Sequence, residues 1–412
     1  MKDAAQMFPT LIAGLTTLLT VAGFAYYVIA LWSARAFLRR PRFPASDFAP
    51  SVSILKPIYG VDPGMAEAFA SHCRQNYSGP YEILFGVSSL DDPACAVVRQ
   101  LQADFPDQAI QLILCPDVLG PNGKVSNLAQ LVQHARHDYL IINDADIRVG
   151  PNYLAHTLAP FASNESPDQP QPPTGLVTAL YRGITHQTLG SKMEALGIAT
   201  DFAPGVLTAR FLDRGLHFGL GSTLAVSRSA IDSIGGLVPL TEYLADDYEL
   251  GARIAAAGFR VELSDEIVET SIHPWNLSGY LHHQLRWART MREARRGGYA
   301  GLVFSYGLAW AFLNLIATGL SLPAFALFTL ALFLRVSIAL GVGVGILRDR
   351  QVLRDLWLLL PRDLLALAVW AWSYASDAIS WRDQRFLLKK GKLVRLDSKE
   401  TPPTTEPVSA KL

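Results

Sequence analysis

Cysteine is scarce in this chain. Cys73, Cys95 and Cys115 are the only three in 412 residues, and they stand too far apart for a zinc site or a redox pair. A disulfide framework is excluded, which leaves buried free thiols in a reducing compartment. An excess of either charge is missing as well. The 36 Lys and Arg balance the 36 Asp and Glu, so bulk electrostatics give no nucleic-acid partner and no strongly acidic substrate. A complete P-loop is absent too. The turn Gly120-Pro121-Asn122-Gly123-Lys124 lacks the full spacing, so Lys124 reads either as a point charge for a diphosphate or as a solvated side chain.

What the chain does have is apolar length. Phe8 to Trp32 (8–32) runs for about 25 residues with little interruption, enough to cross a ~30 Å hydrocarbon core with some tilt. It is too long for the apolar part of a signal peptide, and no small-residue cleavage site follows. Arg35, Arg39, Arg40 and Arg42 come next, which puts that end in the cytoplasm and the N-terminus outside. Membrane character returns over 302–347. There Leu320-Ser321-Leu322-Pro323 is a natural break between two spans, and Arg348, Arg350 and Arg354 mark a second cytoplasmic end. A last apolar stretch, 356–379, would carry the basic residues Arg382, Arg385, Lys389, Lys390 and Lys392 outside if it crossed. With Pro361, Arg362 and Asp363 inside it, it reads as re-entrant or membrane-associated. Residues 397–412 read as a disordered tail, and Asn164 to Pro173 as a surface loop.

Residues 44–298 have ordinary soluble composition and form one large domain. Four short apolar, β-rich runs, Ser51–Leu55, Glu82–Val87, Ile110–Leu114 and Tyr139–Ile142, alternate with helical patterns. That alternation predicts an α/β fold with a mostly parallel, Rossmann-like sheet of the nucleotide-binding kind. Ligands of such sheets bind at the carboxyl ends of the strands. Asp144-Ala145-Asp146 stands directly behind the Tyr139–Ile142 run, and two carboxylates converging at a strand end suit Mg²⁺ or Mn²⁺, although Asp-x-Asp also arises in surface turns. Asp91-Asp92-Pro93 follows the second run and reads either as a nucleotide contact or as a helix start. Ala245-Asp246-Asp247 is a third acidic group, offering helix-start charges or a catalytic base.

From Ser278 to Arg296 (278–296) a basic amphipathic pattern appears. Leu277, Leu281, Leu285, Ala288 and Met291 form its apolar stripe, with Arg289, Arg292, Arg295 and Arg296 expected on the other side, as in a helix lying on an anionic leaflet. Arg286 is free in this pattern to turn inward to a phosphate.

These pieces, in this order, resemble the ceramide glucosyltransferase family, including its bacterial branch associated with hopanoid lipids. The matching strings are Val52-Ser53-Ile54-Leu55-Lys56-Pro57 with Gly60-Val61-Asp62-Pro63, Asp91-Asp92-Pro93-Ala94, Lys124 with Asn127-Leu128, Asp144 with Ile147-Arg148-Val149, Asp247-Tyr248, Arg286-Trp287 and Ile379-Ser380-Trp381-Arg382. The resemblance implies a GT-A fold with N- and C-terminal transmembrane helices, a UDP-sugar donor, and inversion at the anomeric centre. It implies nucleotide-sugar contacts from Asp91, Asp92, Lys124, Asp144, Arg286 and Trp287, a metal on Asp144 and Asp146, and Asp247 as general base. His283 and Trp287 fall on the acceptor side. There His283 stands where the family has Gln or Arg, and Ala203-Pro204 replaces a His-Pro pair.

The acceptor implied is a membrane lipid, ceramide or a hopanoid, at the cytoplasmic face of what would be a bacterial inner membrane. A processive polysaccharide synthase shares the acids and the Arg-Trp pair but needs more spans. A transporter or receptor with a nucleotide-sensing domain would need a polar path, for which Arg335 and the Pro361 region offer little. The sugar and the lipid are not legible in these residues. Pocket shape around Phe202 to Leu207 and His217 to Ser222 would decide them.

Overall fold

The computed structural model of the chain describes residues 2–43, 48–165, 172–381 and 384–396. The expected tail over 397–412, most of the loop at 164–173 and Arg382 lie outside the described residues.

Eleven strands are described: β1 (Val52–Pro57), β2 (Tyr81–Val87), β3 (Ala109–Leu114), β4 (Tyr139–Ile142), β5 (Ile147–Arg148), β6 (Thr174–Ile184), β7 (Leu224–Ser227), β8 (Arg260–Ser271), β9 (Ala378–Trp381), β10 (Gln384–Lys389) and β11 (Lys392–Arg395). The first eight form one sheet in the order β3-β2-β1-β4-β7-β6-β8-β5. The pairs β3·β2, β2·β1, β1·β4 and β6·β8 are parallel, while β4·β7, β7·β6 and β8·β5 are antiparallel. This is the mostly parallel α/β sheet expected from the sequence.

Strand β1 is buried along its whole length, because helices cover both faces of a parallel sheet. The period of two then sorts its side chains. Ile54, Ile83, Phe85 and Ile141 enter one apolar core, and Leu55, Leu84, Leu140 and Ile142 the other. Each of these side chains contributes about 1.5–3 kcal/mol on burial. The second core does not stop at the sheet. It runs through Tyr27, Ala30, Leu308, Ala311, Ile338 and Val342, so the large sheet and the apolar helices share one packed interior.

Two described helices are long and apolar enough to cross a membrane, Pro9–Arg39 and Leu322–Ile346. The pair Arg296–Ser305 and Gly307–Ala317, bent by 53°, makes a third if counted as one span. Gly23 meets Gly307 so closely that a Cβ at either position would run into the other's backbone. Side chains tie the same pair together: Thr16 and Thr17 donate to Asn314 Oδ1 at 3.0 and 2.9 Å, and Leu308 N donates to Tyr27 Oη at 2.8 Å.

A buried ionic quartet joins these helices to the α/β domain. Arg335, on the helix Leu322–Ile338, donates to both oxygens of Asp363 at 2.7 Å and to Asp201 Oδ1 at 2.6 Å. Arg362 pairs with Asp201 and, at 3.3 Å, with Asp363. Asp201 sits in a π-turn, Ile198–Phe202, between the helices Leu189–Gly197 and Ala203–Leu212.

The segment after residue 356 forms a 15-residue helix, Leu359–Ser373, packed on the amphipathic helix Leu277–Ala294. One expectation about the latter is corrected here. Arg289 and Arg292 are buried rather than turned to headgroups. Arg289 donates to Ala378 O at 2.5 Å, and Arg292 bonds Ser373 O and Asp377. The reason is helical spacing, because residues 289 and 292 lie four and seven positions after Leu285 and share its face. The basic stretch beyond β9 is likewise structured. Strands β9–β11 form an antiparallel sheet in which Lys392 pairs with Glu242 and Leu393 N donates to Glu242 O at 2.7 Å, directly before the Asp246-Asp247 turn.

Candidate active site

The carboxyl end of β4 is set by a buried amide. Asn143 donates to Tyr153 Oη at 3.0 Å and to Ser222 O at 2.7 Å, and its Oδ1 faces His72 Nε2 at 3.2 Å. This pins the loop 219–223 beside Asp144. Thr178 holds the same loop, accepting from Leu220 N at 3.0 Å and donating to Thr223 O at 2.7 Å. Gly221 is needed there. A Cβ at that position would stand 3.2 Å from both Asp144 Oδ2 and Asp247 Oδ2, so the two carboxylates flank one backbone.

Asp247 opens the helix Asp246–Ala256. Its Oδ2 accepts from Gly221 N at 2.7 Å and its Oδ1 from Tyr248 N at 2.8 Å. Burial and the neighbouring Asp246 raise its pKa to about 6, where a carboxylate is poised for proton transfer near neutral pH. Lys124 is only 15% exposed, so the solvated alternative is set aside. Its ammonium bridges Asp144 Oδ1 at 2.7 Å and Asp246 Oδ2 at 3.2 Å. Burial opposes that charge, but Asp144, Asp246 and Asp247 outweigh it and hold the lysine cationic.

Asp146 accepts a hydrogen bond from Thr270 Oγ1. Burial, reinforced by Asp144, raises its pKa to about 6. Lys56, at the end of β1, is fully buried with its ammonium 3.4 Å from Asp144 O. Burial pulls its pKa down to about 7, with Asp146 and Asp144 pulling the other way. Four acids thus face two lysines, one of them weakened. The residues fit a divalent cation: Asp144 and Asp146 supply hard oxygen ligands, and the surplus negative charge calls for one. Among the described residues no group of three or more His, Cys, Asp or Glu gathers as a ligand set. Mg²⁺-type ions bound through one or two carboxylates complete their shell with water and phosphate oxygens.

Asp92 is on the same sheet edge, at the end of β2, two strands from β4 and so roughly 10 Å away by strand spacing. Its carboxylate accepts from Gly60 N at 2.9 and 3.0 Å and from Ala94 N at 2.9 Å. It therefore holds the loop after β1 and the first residue of the helix Ala94–Asp104. Asp91 is exposed beside it.

The amphipathic helix supplies the remaining wall. Burial lowers the pKa of Arg286, with Glu194 the one acid acting on it, and no carboxylate among the described residues forms an ion pair with it. Trp287 contacts Phe202 with ring centroids 6.3 Å apart, and Phe202 contacts Tyr181 at 5.0 Å. His283 stacks on Trp275 at 5.3 Å and tilts against Trp287 at 5.6 Å.

Sequence reasoning assigned no site role to Lys56 or Glu194, took Asp246 only together with Asp247 as an acidic pair, and reached Gly221 only within the stretch 217–222. A lysine inside an otherwise apolar strand was a usable signal for the first. Glu194 lies in a helix with no motif, and only the fold brings it to the wall.

Comparisons with known proteins agree with this geometry. The family model described as "Glycosyl transferase family 21" matches residues 15–394. Ceramide glucosyltransferase 3 of Caenorhabditis elegans is 25% identical over 281 residues, covering 66% of this chain and 59% of that protein. An N-acetylglucosaminyltransferase of Rhizobium leguminosarum bv. viciae is 24% identical over 261 residues, covering 60% and 58%. The chain thus matches less than two thirds of the length of these relatives. Among solved structures, a mannosyltransferase from Pyrobaculum calidifontis in complex with GDP-Man and Mn²⁺ aligns with a TM-score of 0.51 at 18% identity, covering 87% of this chain and 98% of that one. The shared architecture is the GT-A fold.

Proposed function

On the premise that the chain belongs to glycosyl transferase family 21, we propose that it moves a hexose from a UDP-sugar to a hydroxyl of a membrane lipid, with inversion. The acceptor is of the ceramide kind, taking glucose, or of the hopanoid polyol kind, taking N-acetylglucosamine. The observation that carries this reading is the meeting of Asp144 and Asp247 on either side of Gly221, at a sheet edge that shares its core with the apolar helices.

The chemistry follows from what each residue holds. Asp247 takes the proton of the lipid hydroxyl while that oxygen attacks C1 of the sugar. The bond from C1 to the diphosphate oxygen breaks in the same step, and UDP leaves with that electron pair. Gly221 N and Tyr248 N fix the carboxylate in place. Arg286, half-buried and without an ion-pair partner among the described residues, is free to give the departing diphosphate a two-pronged contact. Lys124 ties Asp144 to Asp246. A bound divalent cation, held by Asp144 and Asp146, would neutralise charge developing on the leaving diphosphate. The apolar helices keep the active site at the cytoplasmic membrane surface, where a lipid acceptor resides.

The test is an acceptor panel. Purified protein in nanodiscs, given UDP-glucose and UDP-N-acetylglucosamine with ceramide or bacteriohopanetetrol, is expected to release UDP and form glycolipid only with Mg²⁺ or Mn²⁺ present. Glycolipid formed equally in EDTA would remove the metal. UDP-sugar consumption yielding a soluble polymer would replace lipid transfer with the synthase reading.

A further inference from the structure

Three buried polar atoms near the aromatic wall have no hydrogen-bond partner among the described residues: Glu194 Oε2, His283 Nδ1 and Trp275 Nε1. Their side chains adjoin. His283 Nδ1 stands 3.3 Å from Glu194 Oε1 without hydrogen-bond geometry, and its ring stacks on Trp275 at 5.3 Å. The Glu194 side chain is only 11% exposed. A carboxylate oxygen left unsatisfied costs several times what an ordinary surface contact returns, and folded chains satisfy nearly all such groups. Three together mark a place where another molecule supplies the partners.

The surroundings state what kind of molecule. Trp275, His283, Trp287 and Phe202 wall the cluster with rings. The rings run on from His283 through Trp287 and Phe202 to Tyr181 on β6, the strand whose Thr178 and Ala179 hold the loop beside Asp144 and Asp247, so the cluster lies toward the reacting cleft. On the outer side, Gly190 packs against the backbone of Trp275 and Asn276. Leu189 and Leu277, next in sequence to Gly190 and Asn276, are apolar and each exposed by about 40%. The rim is therefore greasy, the interior polar and the end chemical, as an amphiphile with its headgroup inward requires.

Resting on the function proposed above, we infer that Glu194, with Trp275 Nε1, is the anchor for the acceptor headgroup. Glu194 Oε2 accepts a hydrogen bond from a second hydroxyl or an amide N–H next to the reacting hydroxyl, and Trp275 donates to an oxygen of the same headgroup. Ceramide-like and polyol headgroups share this donor beside the reacting hydroxyl, so the anchor selects for the donor rather than for either lipid.

The full chain in nanodiscs tests the assignment with two acceptors, one intact and one whose neighbouring donor is replaced by hydrogen or methyl. The wild type is expected to lose about tenfold in kcat/KM on the altered acceptor. Glu194→Gln is expected to raise the KM for the intact acceptor about tenfold, to leave the KM for UDP-sugar and the Kd for UDP within twofold, and to discriminate much less between the two acceptors. Trp275→Phe, which removes only the N–H, should show the same pattern at about threefold and serves if the first variant fails to fold. Unchanged acceptor KM, a rise in donor KM instead, or undiminished discrimination would each overturn the anchor while leaving the transfer reaction standing. A wild type that glycosylates no lipid would overturn the proposed function itself.

Discussion

Two ionic clusters, one at the helix seam and one at the sheet edge, differ in balance. At the helix seam, Arg335 and Arg362 face Asp201 and Asp363, two cations to two anions, with both Asp363 oxygens and both Asp201 oxygens engaged. At the sheet edge, Asp144, Asp146, Asp246 and Asp247 face Lys124 and a weakened Lys56, and Asp146 and Asp247 have their pKa values raised to about 6. A cluster whose charges balance carries no surplus charge and fixes architecture. An open cluster with surplus negative charge is unfinished until a cation and a diphosphate arrive, and that is where chemistry is expected.

The sharpest way to break this comparison is one asparagine in each cluster. Asp247→Asn is expected to lower kcat by about 10³-fold or more, because it removes the proton acceptor, while UDP binding by calorimetry and the Tm stay near wild type. Asp363→Asn leaves Arg335 buried with one partner fewer. It is expected to destabilise the protein by about 3–5 kcal/mol in denaturant titrations, with turnover per folded molecule retained. If both variants lose stability and turnover alike, the two clusters are not different in kind.

Smaller effects sharpen the contrast. Arg286→Lys keeps the charge but loses the fork, so the KM for UDP-sugar should rise about tenfold with acceptor KM unchanged. A pH profile reads the open cluster directly. Asp247 works as its carboxylate, and with a pKa near 6 kcat/KM should be level above pH 7 and fall toward tenfold per unit below about 6. Asp246, Lys124, Asp144 and Tyr181 face the same group, and Lys124 stays cationic through this range. A profile flat to pH 5 would take the base role away from Asp247. Smallest is the double replacement Arg335→Met with Asp363→Leu. It removes one balanced pair and should cost less than Asp363→Asn alone.

Much of the sheet and its acids was legible in the sequence, because buried parallel strands read as short apolar runs and ligand-bearing acids follow their ends. The runs at 51–55, 82–87, 110–114 and 139–142 match β1 to β4 within two residues at either end. What escaped had long-range causes. Strands β6 and β8 pair in parallel across most of 90 residues, with no local signal for that partnership. Arg289 and Arg292 were given to the lipid side on charge, although helical spacing put them with Leu285. Glu194 meets His283, and through it Trp275, only because the fold packs the helix Leu189–Gly197 against the amphipathic helix.

The most direct test is the anomeric configuration of the product, read by proton NMR from an α-linked UDP-sugar. A single displacement assisted by Asp247 predicts a β-linked glycolipid. An α-linked product would require a second nucleophile and would contradict the account.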